Sequence, residues 1–511
     1  MKPPRSFLWH DYETFGANPR SDRPAQFAAI RTNAELEPVA DPISWYCRPA
    51  NDLVPHPIAC LITGITPQKA CEAGLREADF AQRIHAEMMV PGTCSVGYNN
   101  IHFDDVVTRH LLYRNLRDAY EREYRNGNSR WDLIDLSRMC YALRPDGVHW
   151  PLRDDEAAAR SPTPVPSFRL EDLTAANGIE HGQAHDALAD VTATIEWARR
   201  LRQAQPRLFE WALGLRDTAT AQGLLDPVDP RPVLHTSSRI PAARGCTTLV
   251  WPLAVVPDRP KSVIVFDLMG DPAPLLEEPA DRIADRVFTP TADMPEGEER
   301  LPLKVVHCNH VPMLAPEATL KGVDQERIAL DRDRCLANAE VIRASIDTIR
   351  PKVIEVFNRP YEDAHSGTDT DPDVALYSGG FFPPHDRFLM NKVLQTPAEE
   401  LGSHSWSFED PRLPALLFRF RARNYPDTLS PQEVALWDQY RAQRLLSPPD
   451  SPFMGYEAFQ QALTDARALH ADAVDKQRIL DQVESWLHEC GLEHVWRENA
   501  NAAAAPSRPA P

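Results

Sequence analysis

Two carboxylates two residues apart, Asp11 and Glu13, are the side chains with the clearest capacity for chemistry. They lie within residues 7–14, an otherwise apolar stretch with the composition of a β-strand. Residues i and i+2 of a strand point to the same face, so both acids share one side of it. Because adjacent carboxylates repel each other, the pair favours a bound cation such as Mg²⁺ or Mn²⁺, which prefer oxygen ligands. The alternative is an edge strand whose two acids are solvated.

Two later motifs supply further acids and a histidine. Asp104 follows a short apolar segment, at a point where a strand gives way to a helix, and functional groups are common there. The alternative is that it only caps the helix and interacts favourably with its dipole. His185 and Asp190 open an amphipathic helix and could lie over the same cleft. Their alternative roles are a surface histidine and an acid that suits the helix dipole.

The segments that must position these side chains predict an α/β domain. Apolar runs bounded by turn residues predict strands at 7–14, 26–32, 43–48 and 94–98. Amphipathic periodicity predicts helices at 79–89, 103–115, 131–141, 169–177 and 186–203. Residues 154–166, rich in Ala, Ser, Thr and Pro, predict a surface loop before one of these helices.

The rest of the chain divides into two further parts. After a break near residues 205–206, short apolar strands at 248–256, 262–268 and 303–307 predict a small barrel-like β domain that ends in a helix at 326–343. After a polar break at 361–372, amphipathic helices are predicted at 431–446, 456–470 and 473–490. The composition after residue 497 predicts disorder.

Composition narrows the class of protein. The chain has 511 residues, enough for about two to four domains, with 43% hydrophobic and 25% charged residues. No signal peptide and no apolar run of about 18 residues is evident. The nine cysteines are scattered without a Cys-x-x-Cys pair, which argues against disulfides and a zinc ribbon and favours a reducing cytoplasm. A net charge of −19 predicts weak non-specific duplex binding and strong salt sensitivity, although it allows a local basic groove.

Taken in order, the three motifs resemble the DEDD-type 3′→5′ exonuclease superfamily, in the branch whose last motif carries histidine. Longer strings resemble the bacterial exodeoxyribonuclease I family: HDYETFG from residue 10, DRPAQFAAIRT from 22, LITGITP from 61, GYNN from 97, NSRWD from 128 and PSFRL from 166. The strings QPRLF from 205 and FRFRARNY from 418 extend the resemblance to nearly the whole chain. The loop at 154–164 and the C-terminal tail look like additions.

The resemblance implies an α/β fold in three parts. These are a ribonuclease H-like nuclease domain at 1–202, an SH3-like β domain at 203–354 and an α-helical C-terminal domain at 355–495, followed by a disordered tail at 496–511. It implies a hydrolase that degrades single-stranded DNA processively, 3′→5′, to 5′-mononucleotides, in DNA repair and recombination. It also implies a cytoplasmic monomer that binds the acidic C-terminal tail of single-strand-binding protein.

The resemblance also assigns the catalytic roles. Asp11, Glu13, Asp104 and Asp190 are expected to hold two Mg²⁺ ions about 3.5–4 Å apart, with Mn²⁺ able to substitute. One ion would activate a water and the other would stabilise the departing 3′ oxygen. His185 is expected to be the general base, since histidine has a reference pKa of about 6.5.

Substrate contacts are expected from the same resemblance. Glu13 is expected to contact the terminal sugar as well, and Arg169 to bind the substrate, the alternative being an ion pair with Glu171 or Asp172. Cations and stacking faces suit a single strand, and those predicted to contact DNA are Arg109, Tyr120, Tyr124 and Arg138.

Other aromatic and basic residues have more than one interpretation. We expect Trp131 and Tyr141 to be core aromatics. The arginines at 419, 421 and 423 form either a DNA-facing or protein-facing patch, or a solvated helix face.

Two other functions compete with this hypothesis. One is an RNA-trimming exoribonuclease of the same superfamily, although such enzymes are often small dimers of the nuclease module alone. The other is a non-catalytic DNA-binding scaffold, which has no reason to retain four acids and a histidine.

Overall fold

The computed structural model describes residues 3–161, 163–182, 186–359, 371–448 and 450–497, with Ala157 described in its backbone only. Three predicted features lie wholly or partly outside the described residues. They are His185, the predicted break at 361–372 (of which 361–370 are not described) and the tail from residue 498.

The N-terminal part is built on a mixed sheet of five strands. They are β1 (Ser6–Thr14), β2 (Pro24–Thr32), β3 (Ile43–Tyr46), β4 (Thr93–Gly97) and β5 (Ser129–Asp132). Their order is β3-β2-β1-β4-β5, so β1 is central; it pairs antiparallel with β2 and parallel with β4. The predicted strand at 7–14 is therefore confirmed, and the edge-strand alternative is wrong.

The described residues of this part also form eight helices. They are α1 (Pro57–Thr63), α2 (Pro67–Ala73), α3 (Glu77–Met88), α4 (Asp104–Arg114), α5 (Leu133–Leu143), α6 (Glu156–Ala159), α7 (Leu170–Ala176) and α8 (Ala187–Ala204). The helix predicted from residue 131 is wrong at its start, because Trp131 pairs with Val96 in the sheet and is fully buried. The helix α5 begins only after Asp132, whose side chain accepts the Ile134 N–H and caps it.

The middle part carries a second, antiparallel sheet. Its strands are β6 (Val233–Thr236), β7 (Thr247–Val256), β8 (Arg259–Asp267), β9 (Leu303–His307) and β10 (Met313–Pro316), in the order β10-β6-β7-β8-β9. Its helices are α9 (Pro206–Gly214), α10 (Thr218–Leu224), α11 (Ala273–Glu277), α12 (Ala280–Phe288), α13 (Arg332–Ala344) and α14 (Ile346–Asn358). The three predicted strands are confirmed, and the four-residue strands β6 and β10 were not predicted.

One hydrophobic core runs from the first sheet to the second. Its largest fully buried side chains include Trp9, Trp131, Trp197 and Trp251, with Phe7, Phe209 and Phe266. Trp131 is thus a core aromatic as predicted, and Tyr141 is buried as well. The two parts are therefore packed as one body around this core.

The C-terminal part is helical. Its helices are α15 (Pro384–Gln395), α16 (Arg412–Asn424), α17 (Pro431–Leu445), α18 (Tyr456–Leu469) and α19 (Val474–Glu489). The three helices predicted here are confirmed to within one residue. Among the described residues, no helix has the length and apolar character needed to cross a membrane.

A buried ion cluster joins the helical part to the first sheet domain. Asp52 Oδ2 accepts from Arg423 Nε at 3.0 Å, from Arg444 Nη1 at 2.9 Å and from Arg23 Nη2 at 3.3 Å. Arg423 also donates from Nη1 to Asp373 Oδ1 at 3.0 Å. These five residues are called the Asp52 cluster below. Its existence shows that a solvated face for this stretch of α16 is wrong, since Arg423 is buried between two domains.

Candidate active site

The central strand β1 presents Asp11 and Glu13 on one face, as their spacing predicts. They stand opposite Ala28 and Gln26 of β2. Glu13 is buried and Asp11 is partly buried. Asp11 lines a cavity, whereas Glu13 is buried beside it.

The helix α8 brings the third carboxylate to this pair. Asp186 caps the helix by accepting the Leu188 and Ala189 N–H groups, each at 3.1 Å, which places Asp190 in the first turn. The helix packs across β1 and β2. As a result, one carboxylate oxygen each of Asp11, Glu13 and Asp190 lie within 4.8 Å of one another. Among the described residues, this is the group of acids with the spacing to share a cation.

Asp104 lies beside the cluster at the start of α4. Its Oδ1 accepts the Tyr12 backbone N–H at 3.0 Å, which ties the helix to β1 between the other two acids. The end of β4 can lie this close to β1 because residue 97 is glycine: a Cβ there would lie 2.8 Å from the His10 carbonyl oxygen. The adjacent Asp105 has a different role: it pairs with Arg122 at 2.7 Å and Arg130 at 2.8 Å in the interior.

The surroundings of Asp11, Glu13 and Asp104 disfavour their charged forms. Burial, followed by the neighbouring carboxylates, raises the pKa of Glu13 to about 8 and that of Asp11 well above its ordinary value. Burial also raises the pKa of Asp104 to about 7, although the Tyr12 N–H opposes this rise. No described arginine or lysine forms an ion pair with Asp11, Glu13 or Asp104. A bound cation would supply the missing positive charge.

A histidine that the sequence interpretation did not single out contacts the cluster. His181 Nε2 lies 2.5 Å from Asp190 Oδ1, and its Nδ1 lies 3.2 Å from Thr174 Oγ1. The ring is therefore fixed at both nitrogens and holds one orientation of Asp190. Its signal in the sequence was a second histidine four residues before His185, but nothing local distinguished the two. His185 itself lies outside the described residues.

Asp11 and Asp190 line a cavity of about 1230 Å³ between the first two domains. Arg169 lies on its wall, largely exposed, and its Nη2 pairs with Glu171 Oε2 at 2.9 Å. Arg138 lines the same cavity and pairs with Asp135 at 2.6 Å. Arg169 and Arg138 were both predicted to bind substrate, and both line the same cavity as Asp11 and Asp190.

A second cavity, of about 500 Å³, lies at the other end of α4, between it and the helical domain. The helix has 11 residues and spans about 16 Å. Tyr120 and Tyr124 line this cavity, and Tyr124 is 64% exposed. Arg109 does not line it: it is buried and pairs with Glu123 at 2.7 Å, beneath the Tyr120 ring. Its predicted contact with DNA would therefore require the guanidinium to leave a buried ion pair.

Family comparisons match the chain in three consecutive pieces. The family described as Exonuclease matches residues 8–198, the Exonuclease I SH3-like domain matches 216–359 and the Exonuclease I C-terminal domain matches 370–490. These matches confirm the predicted fold class.

Individual relatives match over nearly the whole chain. Exodeoxyribonuclease I of Escherichia coli (strain K12) is 45% identical over 443 residues, 86% of this chain and 90% of the relative. A crystal structure of E. coli exonuclease I with a dA16 oligonucleotide superposes with a TM-score of 0.88 at 42% identity, covering 95% of this chain and 99% of that one.

Two further structures cover the same shares, 95% of this chain and 99% of the other. One is a zinc-bound E. coli ExoI–ssDNA complex, with a TM-score of 0.87 at 42% identity. The other is an ExoI/SSB-Ct complex, with a TM-score of 0.86 at 41% identity. With its motifs, its three matched domains and these likenesses, the chain belongs to the exodeoxyribonuclease I family.

Proposed function

We propose that this chain hydrolyses single-stranded DNA processively from the 3′ end and releases 5′-mononucleotides. The observation that carries the proposal is the group formed by Asp11, Glu13 and Asp190, with Asp104 beside it, on the cavity that Arg169 borders. Family membership supplies the reaction class, since relatives of this length and identity are named exodeoxyribonuclease I.

The four carboxylates fit divalent cations. They offer only oxygen ligands, which Mg²⁺ and Mn²⁺ prefer, and burial with few compensating contacts raises the pKa of Asp11, Glu13 and Asp104. Asp11, Glu13 and Asp190 would hold the metal, Mg²⁺ first, with Asp104 completing a two-ion site. When bound, such ions supply Lewis acidity at the scissile phosphate and lower the pKa of a bound water.

The chain's own residues would orient the substrate and move a proton. His185 is the proposed general base, and His181 would keep Asp190 in place through the bond at 2.5 Å. Arg169 would bind a phosphate oxygen near the 3′ end. Its present partner does not prevent this, because an exposed ion pair with Glu171 contributes only about 0–1 kcal/mol and a phosphate can replace the carboxylate.

The path of the single strand would follow α4 from the carboxylates to the second cavity. There, Tyr120, Tyr124 and the 81% exposed Phe381 offer faces on which bases can stack, and Arg125 and Arg387 offer charge for the backbone. The first cavity adds a wall from the β domain, including Ile240 and Ala242. A strand held by all three domains stays bound when one contact is released, which is the physical basis that we propose for processivity.

The same family membership supports a protein partner and a pathway. A relative's structure is an ExoI/SSB-Ct complex, and we propose that this chain likewise binds the acidic C-terminal tail of single-strand-binding protein. Its work would then belong to DNA repair and recombination. Fluorescence anisotropy with a labelled tail peptide tests this, and a peptide lacking its acidic residues is the control.

Asp11→Ala tests the proposed chemistry. On single strands labelled at the 3′ end, with Mg²⁺ present, we expect the variant to lose activity on the order of 10³-fold. EDTA should abolish wild-type activity. Asp229→Ala, which changes an exposed acid far from the carboxylates in sequence and in a different domain, is the matched control and should retain full activity. Undiminished cleavage by Asp11→Ala would overturn the metal assignment.

Substrate choice is tested by competition. Single-stranded DNA and RNA of equal sequence are mixed in one digestion, with an excess of unlabelled trap added after binding. We expect the DNA to disappear first and each bound molecule to be shortened by many nucleotides before the trap captures the enzyme. Faster loss of the RNA would favour the exoribonuclease alternative.

A further inference from the structure

The loop before α7 lies on the surface, as predicted, and its described residues form a strap. Its two ends pair as an antiparallel bridge, with Leu152 opposite Pro166 and the Arg153 N–H donating to the Val165 carbonyl at 2.9 Å. Between them, the short helix α6 is capped by Asp155, whose Oδ1 accepts the Ala158 N–H at 2.9 Å. The name strap is used below for residues 152–161 and 163–166.

The strap reaches from the nuclease domain to the β domain. The Thr163 hydroxyl donates to the Ala243 carbonyl at 2.8 Å, beside the turn that includes Pro241 and Ala242. This bond ties the strap to the opposite side of the cavity that holds Asp11 and Asp190. The strap therefore bridges two domains at the edge of the candidate active site.

Several side chains of the strap line that cavity. Leu152, 58% exposed, presents an apolar surface to it, and Arg153, Asp154 and Asp155 lie on the same wall. Arg153 is engaged by Asp155, at 2.7 Å from its Nε, so its charge is compensated within the strap. Glu156 pairs with Arg160 at 2.8 Å, and Asp154, which is exposed on this wall, gives it a negative charge.

We propose that the strap excludes base-paired 3′ ends from the candidate active site. A duplex end needs space for a second backbone and carries about twice the phosphate charge per unit length of one strand. The strap occupies one side of the cavity, and the exposed Asp154 carboxylate on that side repels a second chain of phosphates. A single strand does not need space for a second backbone and brings no second chain of phosphates to the strap. The inference rests on the proposed function, because it concerns which DNA ends reach the same carboxylates.

Two variants separate the width of the strap from its charge. In the first, residues 154–164 are replaced by Asn-Gly, which closes the pairing of Arg153 with Val165 by a two-residue hairpin turn. In the second, Asp154→Asn keeps the shape and removes one charge from the cavity wall. The measurement is kcat/KM on a single-stranded oligonucleotide and on the same oligonucleotide annealed to a blunt-ended duplex.

We expect the Asn-Gly variant to raise kcat/KM on the duplex about tenfold and the charge variant about threefold. Both should stay within about twofold of wild type on the single strand. If wild type does not degrade the single strand, the proposed function fails. If wild type is active and both variants keep its preference, the strap proposal alone is overturned. If circular dichroism shows that the Asn-Gly variant is unfolded, the charge variant decides by the same criterion.

Discussion

Replacing Asp52 by Asn should loosen the helical domain from the nuclease domain. The substitution keeps the size of the side chain and removes the negative charge that three guanidinium groups share. Asp52 is 3% exposed, so water cannot replace the lost charge. Burial alone would raise the pKa of this carboxyl, but Arg423, Arg23 and Arg444 hold it well below its ordinary value. The carboxylate is therefore strongly engaged with its partners in the folded chain.

The size of the effect follows from what the variant leaves behind. Removing one partner of a buried ion cluster typically costs about 3–5 kcal/mol, because the remaining charges stay buried without compensation. Asp373 still accepts from Arg423 at 3.0 Å and relieves part of this cost. Arg444 and Arg23 lose a hydrogen-bonded partner at 2.9 Å and 3.3 Å. We therefore expect a loss of about 3 kcal/mol, near the lower end of that range.

Urea denaturation measured by circular dichroism checks the stability of Asp52→Asn. The matched control is Asp229→Asn, which removes a carboxylate from an exposed pair with Arg231 and should leave the midpoint unchanged. A second readout is the number of nucleotides removed per binding event, which should fall while single-turnover hydrolysis continues. A loss below about 1 kcal/mol, together with wild-type processivity, would refute the role assigned to the Asp52 cluster.

Three further predictions concern the site and the DNA path. Because burial raises the pKa of Asp11 above its ordinary value, that of Glu13 to about 8 and that of Asp104 to about 7, the folded metal-free chain keeps protons that the unfolded chain releases. Its Tm should fall as the pH rises from about 4 to about 8, and Mg²⁺ should raise the Tm more at pH 8 than at pH 5 in scanning fluorimetry; a flat profile without metal would contradict this. His185→Ala should lower kcat by about 10²- to 10⁴-fold at saturating Mg²⁺, whereas His181→Ala should chiefly raise the Mg²⁺ concentration needed for half-maximal activity. An equal metal requirement in both histidine variants would remove the positioning role of His181. Tyr124→Ala should raise KM for a long single strand about tenfold but not that for a trinucleotide, with the equally exposed Leu446→Ala as control. An equal rise in KM for the long strand and for the trinucleotide would show that the DNA does not pass Tyr124.

The site was predictable where local rules position side chains. The two-residue period of a strand placed Asp11 and Glu13 on one face, and β1 has them so. The start of α4 was predicted at 103 and is at Asp104, because a strand-to-helix transition has a strong local signature. The order of the motifs then indicated the family, which the three matched domains confirm.

The remainder depended on contacts between distant segments. Arg423 lies in an alternating series of arginines that resembles a solvated face, yet its partner Asp52 is 371 residues away. Likewise, Arg109 was predicted to contact DNA, yet its guanidinium is buried and pairs with Glu123. His181 was missed because its contact with Asp190, nine residues later in the chain, has no local signature in the sequence. Burial and pairing of charges are tertiary properties that local patterns do not encode.

The distribution of arginines explains how an acidic protein can hold DNA. Of the arginines in the described nuclease domain, Arg122 and Arg130 neutralise Asp105, Arg109 neutralises Glu123 and Arg23 engages Asp52, all in the interior. These charges stabilise the fold and contribute little to the field outside it. We therefore expect retention of a single strand to rest on stacking at Tyr124 and its neighbours, on enclosure between domains, on exposed arginines such as Arg387 and on a cation bound by the carboxylates. Such a combination favours flexible single strands and gives a duplex surface few contacts, in keeping with the net charge of −19.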